Sequence, residues 1–199
     1  MASIGDRPGD ATRVARVIVV SGPSGAGKGT LIGHLRARMP ELAVAVSATT
    51  RPIRGGEREG REYYFLTPGE FERRVEAGDF VEHVEYAGNR YGTLRSELER
   101  ILSTGRSVVL EIELRGARAV RASMSEAFLV FITPPSMFEL ERRLRARATE
   151  GDDAITERLA TGRREMDAVG EFDVIIVNDD VQRAADELFD VVDRATRAA

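Results

Sequence analysis

One lysine stands among the 29 Lys and Arg residues of the chain. It is Lys28, inside Gly22-Pro23-Ser24-Gly25-Ala26-Gly27-Lys28-Gly29-Thr30. The spacing G-x-x-x-x-G-K is that of a loop built around a polyphosphate. Glycines let backbone N–H groups turn inward around phosphate oxygens, where a Cβ would clash. A helix opening near Gly27 adds the partial positive charge of its N-terminus. The Lys28 ammonium is a compact, mobile charge for the β- and γ-phosphates, a task the planar Arg fork performs less well. In a chain that uses Arg at every other basic position, a Lys at this one points to function. The strict motif places Ser or Thr directly after the Lys to ligate Mg²⁺. Here that position is Gly29, and the hydroxyl comes one residue later at Thr30. Nucleotide binding is expected, with Mg²⁺ held mainly through the nucleotide's phosphates and water and with Thr30 or Glu111 as candidate protein contacts.

Other chemistry-bearing residues are more dispersed. Arg51 and Arg54 lie three apart in a polar stretch, 51–61, that holds three glycines. Such a pair suits an anion site, and its bland counterpart is a solvated loop. Arg143 and Arg147 are four apart on one helical face and can point at one anion. Without an anion that face repels itself, unless Glu139 and Glu141 pair with it. His34 and His83 have no partner at metal-ligand spacing and read as structural or surface residues. The absence of Cys removes disulfides, thiolate chemistry and Cys-type zinc sites.

The phosphate loop needs a strand before it and a helix after it. Val17-Ile18-Val19-Val20 and Leu31-Ile32-Gly33-His34-Leu35 supply them. Buried-looking strands fall at 16–21, 44–48, 107–113, 127–132 and 173–177, four of them continuous apolar runs. Helix-like stretches lie at 27–38, 94–104, 115–124, 136–148, 154–168 and 181–197. Ser136 to Glu139 reads as a capping box. This alternation predicts an α/β fold with a doubly wound parallel sheet and ligands at the C-terminal ends of the strands. Residues 50–93 break the rhythm. Short strand-like pieces at 63–65 and 80–86 flank a helix opened by the capping box Thr67-Pro68-Gly69-Glu70. The expected organisation is a disordered arm at 1–13, then one domain over 14–199. That domain has a core at 14–49, 94–142 and 159–199, an inserted α/β subdomain at 50–93, and a mobile lid at about 143–158.

Composition bounds the function. The 199 residues are 42% hydrophobic and 31% charged, which suits one globular domain with a real core. The net charge is −4, so the surface as a whole does not favour nucleic acid. No apolar run reaches the ~18–20 residues of a membrane span, and residues 1–13 lack the apolar centre of a signal peptide. A cytoplasmic location fits.

Four segments together resemble the guanylate kinase family. They are the loop Gly22–Thr30, the stretch Ser47-Ala48-Thr49-Thr50-Arg51-Pro52-Ile53-Arg54-Gly55-Gly56-Glu57, the stretch Gly88-Asn89-Arg90-Tyr91-Gly92-Thr93, and Val177-Asn178-Asp179-Asp180. They recur in the family's order from about residue 16 to 197. The resemblance implies a P-loop core, a GMP-binding subdomain and a lid. It also implies the reaction ATP + GMP → ADP + GDP, with dGMP as a further acceptor, in purine nucleotide metabolism and GMP recycling. By position, Arg51 and Arg54 resemble the clamp on the GMP phosphate, with Tyr63 and Tyr91 as hydroxyl partners. Ser47, Glu82 and Thr93 match the guanine-reading positions. A carboxylate that accepts from N1–H and N2–H₂ leaves polar groups unpaired against adenine. Arg143, Arg147 and Arg158 match ATP-clamping and lid arginines, and Asn178 matches a position near the adenine, where a turn or cap role is also open. One position departs from the pattern. Glu111-Ile112-Glu113 stands where the family usually ends with Asp, so Glu113 is one methylene longer. That departure and Gly29 leave open a kinase for another nucleoside monophosphate. A non-catalytic binding domain on the same fold is the rival of a different class, and the intact loop argues against it.

Overall fold

A computed structural model of the chain describes residues 13–86, 88–146 and 152–197. The expected arm lies outside the described residues except for Arg13, and so do Arg147 and the middle of the expected lid. In chain order the elements are β1 (Val17–Ser21), α1 (Lys28–Arg38), β2 (Ala43–Val44), β3 (Ala48–Thr49), β4 (Tyr64–Phe65), α2 (Pro68–Glu76), β5 (Phe80–Tyr86) and β6 (Asn89–Leu94). They continue with α3 (Arg95–Leu102), β7 (Val108–Glu111), α4 (Leu114–Ser123), β8 (Phe128–Thr133), α5 (Met137–Ala146), α6 (Asp152–Met166), β9 (Val174–Val177) and α7 (Val181–Thr196).

The strands divide between two sheets. Five form a parallel sheet in the order β2-β7-β1-β8-β9. Its central strand β1 is buried along its whole length. Ile18 and Val20 pack with Leu31 and Leu35 of α1 and Leu188 and Val192 of α7. Val17 and Val19 face the other way, onto Leu98 and Ile101 of α3 and Ala117 and Val120 of α4. Burial on both faces is why this strand reads as an unbroken apolar run rather than an alternating one. The doubly wound α/β core expected from the sequence is present, with the loop Gly22–Gly27 at the C-terminal end of β1.

The second sheet has the order β4-β3-β6-β5 and mixes parallel with antiparallel pairs. Helix α2 covers it through Phe71, stacked on Phe80 with ring centroids 4.5 Å apart. The Thr67 capping box opens α2 as expected, with the Glu70 amide donating to Thr67 Oγ1 and the Thr67 amide to the Glu70 carboxylate. On β5, Val81 leaves this sheet's core and joins Ala117 and Val120 of α4 in the core of the parallel sheet. The second sheet is thus rooted on α4.

Three details differ from expectation. The single strand predicted at 44–48 is split. Ala43–Val44 pairs with β7, whereas Ala48–Thr49 pairs with β6 and β4. Apolar patterning marks an extended segment but not the point where it changes sheets. Strand β6 lies where the sequence analysis gives only a motif, and Gly92 within it weakens a strand signal. In the fold Gly92 is required, since a Cβ there would lie 2.7 Å from the Phe80 ring. Ser136 forms half of its predicted box. Its Oγ accepts from the Glu139 amide, but the Glu139 carboxylate turns to Arg142 and Arg143. Among the described residues no helix is long and apolar enough to cross a membrane.

Candidate active site

The loop between β1 and α1 is a backbone cradle closed against the core. Gly22 has φ 136°, and a Cβ there would stand 2.0 Å from the Ile132 carbonyl oxygen. Gly27 has φ 95°, and its Cβ would meet Asn178 Nδ2 at 2.3 Å. Neither position admits a side chain. Lys28 Nζ donates to the carbonyls of Gly22 at 2.6 Å and Pro23 at 3.1 Å, so the ammonium is held over the loop it belongs to. Arg158 of α6 reaches across to Ser24 Oγ at 3.3 Å. Gly29 and Thr30 are exposed in the first turn of α1. A Cβ at Gly29 would lie 3.7 Å from Glu111 Oε2, which places the Glu111 carboxylate beside the start of that helix.

A second set of side chains braces the same loop at Ala26. The Ala26 carbonyl accepts from Asn178 Nδ2 at 2.7 Å and from Arg143 Nη1 at 3.4 Å. Arg143 Nη2 donates to the Asn178 carbonyl at 2.8 Å and Nε to Glu139 at 2.7 Å. The hydrogen bonds from Arg142 and Arg143 draw the Glu139 carboxyl down to about 2. Asn178 is buried, and its Oδ1 has no hydrogen-bond partner among the described residues.

In front of the loop lies a cleft of about 1030 Å³. Lys28, Ser24, Glu111 and Glu113 come to it from the core, Ser47, Tyr63, Glu82 and Tyr91 from the second sheet side, and Arg158 from α6. Of the lining residues, Glu82 is 4% exposed and accepts from Thr93 Oγ1 at 2.8 Å. Burial pushes its carboxyl up to about 7, against the Thr93 hydrogen bonds that favour ionisation, and Glu113 adds to the upward push. Glu113 is itself raised, first by burial, with Arg115 and Lys28 opposing. Arg51 is not among the lining residues; it is buried beside Tyr63, with Nη2 on the Glu57 carboxylate at 2.7 Å and its guanidinium 5.3 Å from the Tyr63 ring centre. Tyr63 and Tyr91 meet edge to face at 6.0 Å. Arg54 is exposed, and its amide donates to Glu57.

The structure thus gathers Lys28, Ser47, Tyr63, Glu82, Tyr91, Glu113 and Arg158 on one cleft, while Asn178 and Arg143 converge on Ala26. Arg147 lies outside the described residues. Two participants were missed. Glu57 orients Arg51 and was quoted only as part of a motif. Glu165 of α6 is buried and lines the cleft. Burial raises its carboxyl, and the charge of Lys28 opposes that rise. The signal was available, because Ile155, Gly162 and Glu165 share the buried face of α6 and a carboxylate there needs a reason.

A family model for guanylate kinase matches residues 14–195. The chain belongs to the guanylate kinase family. It is 53% identical over 166 residues to a guanylate kinase of Parasynechococcus marenigrum, covering 83% of this chain and 91% of that protein. It is 51% identical over 182 residues to one from Rubrobacter xylanophilus, covering 92% and 95%. Among solved structures, a guanylate kinase from Anaplasma phagocytophilum superposes with a TM-score of 0.75 at 32% identity, covering 94% of this chain and 89% of that one. The guanylate kinase fold therefore extends over both sheets.

Proposed function

We propose that the cleft transfers the γ-phosphoryl group of ATP to a phosphate oxygen of GMP or dGMP, giving ADP and GDP or dGDP. The observation that carries this reading is one cleft with a phosphate cradle at Lys28 and a buried carboxylate, Glu82, facing it from a different sheet. The acceptor oxygen is ionised at neutral pH, so the chemistry needs no strong base. It needs two polyanions brought into line. The loop amides and Lys28 take the β- and γ-phosphates. Arg51, held by Glu57, takes the GMP phosphate as a planar fork together with Arg54, Tyr63 and Tyr91. Ser47, Glu82, Thr93 and Glu113 form the base end, where Glu82 accepts from guanine N1–H and N2–H₂. Arg143 and Asn178 set the adenine end of the loop. Arg158 and Arg147 add positive charge from the side of α6 and the lid.

The donor set fits Mg²⁺ delivered with ATP. Among the described residues no cluster of three or more His, Asp or Glu groups could hold a metal. The Glu111 carboxylate beside Gly29 offers hard oxygens at the phosphate loop, and Thr30 adds a hydroxyl in the same turn. Mg²⁺ commonly binds through one or two carboxylates, waters and substrate phosphates. When bound it supplies charge neutralisation of the phosphates.

An ADP-release assay with ATP and Mg²⁺ against GMP, dGMP, AMP, CMP, UMP and IMP tests the reading. Turnover confined chiefly to GMP and dGMP and lost in Lys28→Ala is expected. Turnover with another monophosphate, or GMP binding without any turnover, would contradict it.

A further inference from the structure

The Glu82 carboxylate lies against a position that has no side chain. It leaves β5 and ends on the first turn of α4. A Cβ built on Gly116, the third residue of that helix, would stand 2.8 Å from Glu82 Oε2 and 3.3 Å from its Cδ. On the other side the same Cβ would meet the Ile112 Cβ at 3.3 Å. The space that holds the carboxylate is therefore the space a side chain at 116 would fill. Gly116 does not have a positive φ. The backbone thus does not demand glycine, and the approach of Glu82 does.

The helix end gives this approach an electrostatic sense. The first turn of α4 contains no acidic residue, and the N-cap residue Glu113 makes no side-chain capping bond. No carboxylate within that turn offsets its partial positive charge. Glu82 supplies one from another sheet, while Thr93 Oγ1 holds its second oxygen. Val81, the neighbouring residue, packs on Ala117 and Val120 of the same helix, so strand and carboxylate dock together.

We infer that Gly116 is the positioning residue for base selection: its missing side chain seats the Glu82 carboxylate on the first turn of α4, aimed at the guanine edge. The inference rests on the reading of Glu82 as the guanine acceptor. A methyl group at 116 displaces the far end of the flexible Glu82 side chain and asks only a few tenths of an ångström of the Ile112 Cβ. The fold survives while Glu82 is pushed off Thr93 and off its line to guanine. Alanine also favours a helix over glycine, so the substitution does not weaken α4 itself.

The test measures equilibrium binding of GMP and of ATP, with thermal unfolding, in Gly116→Ala, Glu82→Asp and the double variant. Gly116→Ala is expected to weaken GMP tenfold or more, to leave ATP within twofold, and not to lower Tm. Aspartate is one methylene shorter and withdraws from position 116. Glu82→Asp alone should therefore weaken GMP, and adding Gly116→Ala to it should cost less than twofold more. GMP affinity within twofold of wild type in Gly116→Ala overturns the inference. So does an equal loss from Gly116→Ala in both backgrounds, or a loss of fold that Glu82→Asp does not relieve. Unchanged GMP affinity in Glu82→Asp removes instead the assignment of Glu82 to guanine, which separates the two failures.

Discussion

The two halves of the cleft are built in opposite ways. The phosphate half is one continuous segment, Gly22–Lys28, whose working groups are backbone amides, one ammonium and glycines that close against Ile132 and Asn178. In the proposed reading the base half takes Ser47 from between β2 and β3, Glu82 from β5, Thr93 from β6, Glu113 from the cap of α4 and room from Gly116. Phosphate is recognised by charge and by crowded N–H donors, which a short loop can present alone. A purine edge is recognised by the placement of individual donors and acceptors, and those need rigid supports from several directions. One ligand site can thus be local and fixed by its own sequence while its neighbour depends on how two sheets dock.

The largest effect should come from the local half. Lys28→Ala removes the compact charge on the transferring phosphates and should lower turnover on the order of 10³-fold, with GMP affinity unchanged. Steady-state kinetics with parallel GMP titration checks both parts, and a GMP loss as large as the turnover loss would merge the halves. Glu82→Gln breaks the other half. It should cut kcat/KM for GMP on the order of 10²-fold, because the amide presents a donor to guanine N–H groups.

The same substitution should stabilise the fold at high pH. Folded Glu82 titrates near 7, against 4.5 for an ordinary Glu. Between those values the folded state holds a proton that the unfolded state has lost. Stability from this group is therefore lost as pH rises from 4.5 to 7. Glu82→Gln should recover up to about 3 kcal/mol at pH 8, read by denaturant unfolding. An unchanged or lower stability would mean the carboxylate is compensated in the fold.

A smaller effect follows in the wild type. If Glu82 accepts from guanine as proposed, only the ionised carboxylate serves, so GMP affinity should be flat above pH 7 and fall by about tenfold per unit below it. Titrations from pH 5.5 to 8 measure this, and a profile that ATP affinity shares would assign the change elsewhere. The smallest change is expected from Asn178→Ala. It removes the amide that holds the Ala26 carbonyl and should cost about 1–3 kcal/mol of stability, with ATP affinity falling a few-fold and GMP affinity constant. Calorimetric titration of both nucleotides reads it.

The same contrast explains what the sequence disclosed. The loop, its strand and its helix could be read because every part lies within a few residues of the next. The central strands could be read because burial on both faces leaves an unbroken apolar run. The passage of residues 43–49 from one sheet to the other left no trace, since extended backbone has the same pattern in either. Glycine is a poor helix former, and only the approach of Glu82, 34 positions away in sequence, gives Gly116 a reason. Arg143 read as one of two arginines on a shared face. Its bonds to Ala26, Asn178 and Glu139 depend on how α5 packs over the loop. Pairings of that length are set by tertiary packing and escape local spacing.

Cross-titration tests the division most directly. ATP and GMP affinities are measured for the wild type, Lys28→Ala and Glu82→Gln. A local phosphate half and a docked base half predict a crossed pattern, with Lys28→Ala weakening ATP alone and Glu82→Gln weakening GMP alone. Comparable loss of both nucleotides in either variant would contradict it.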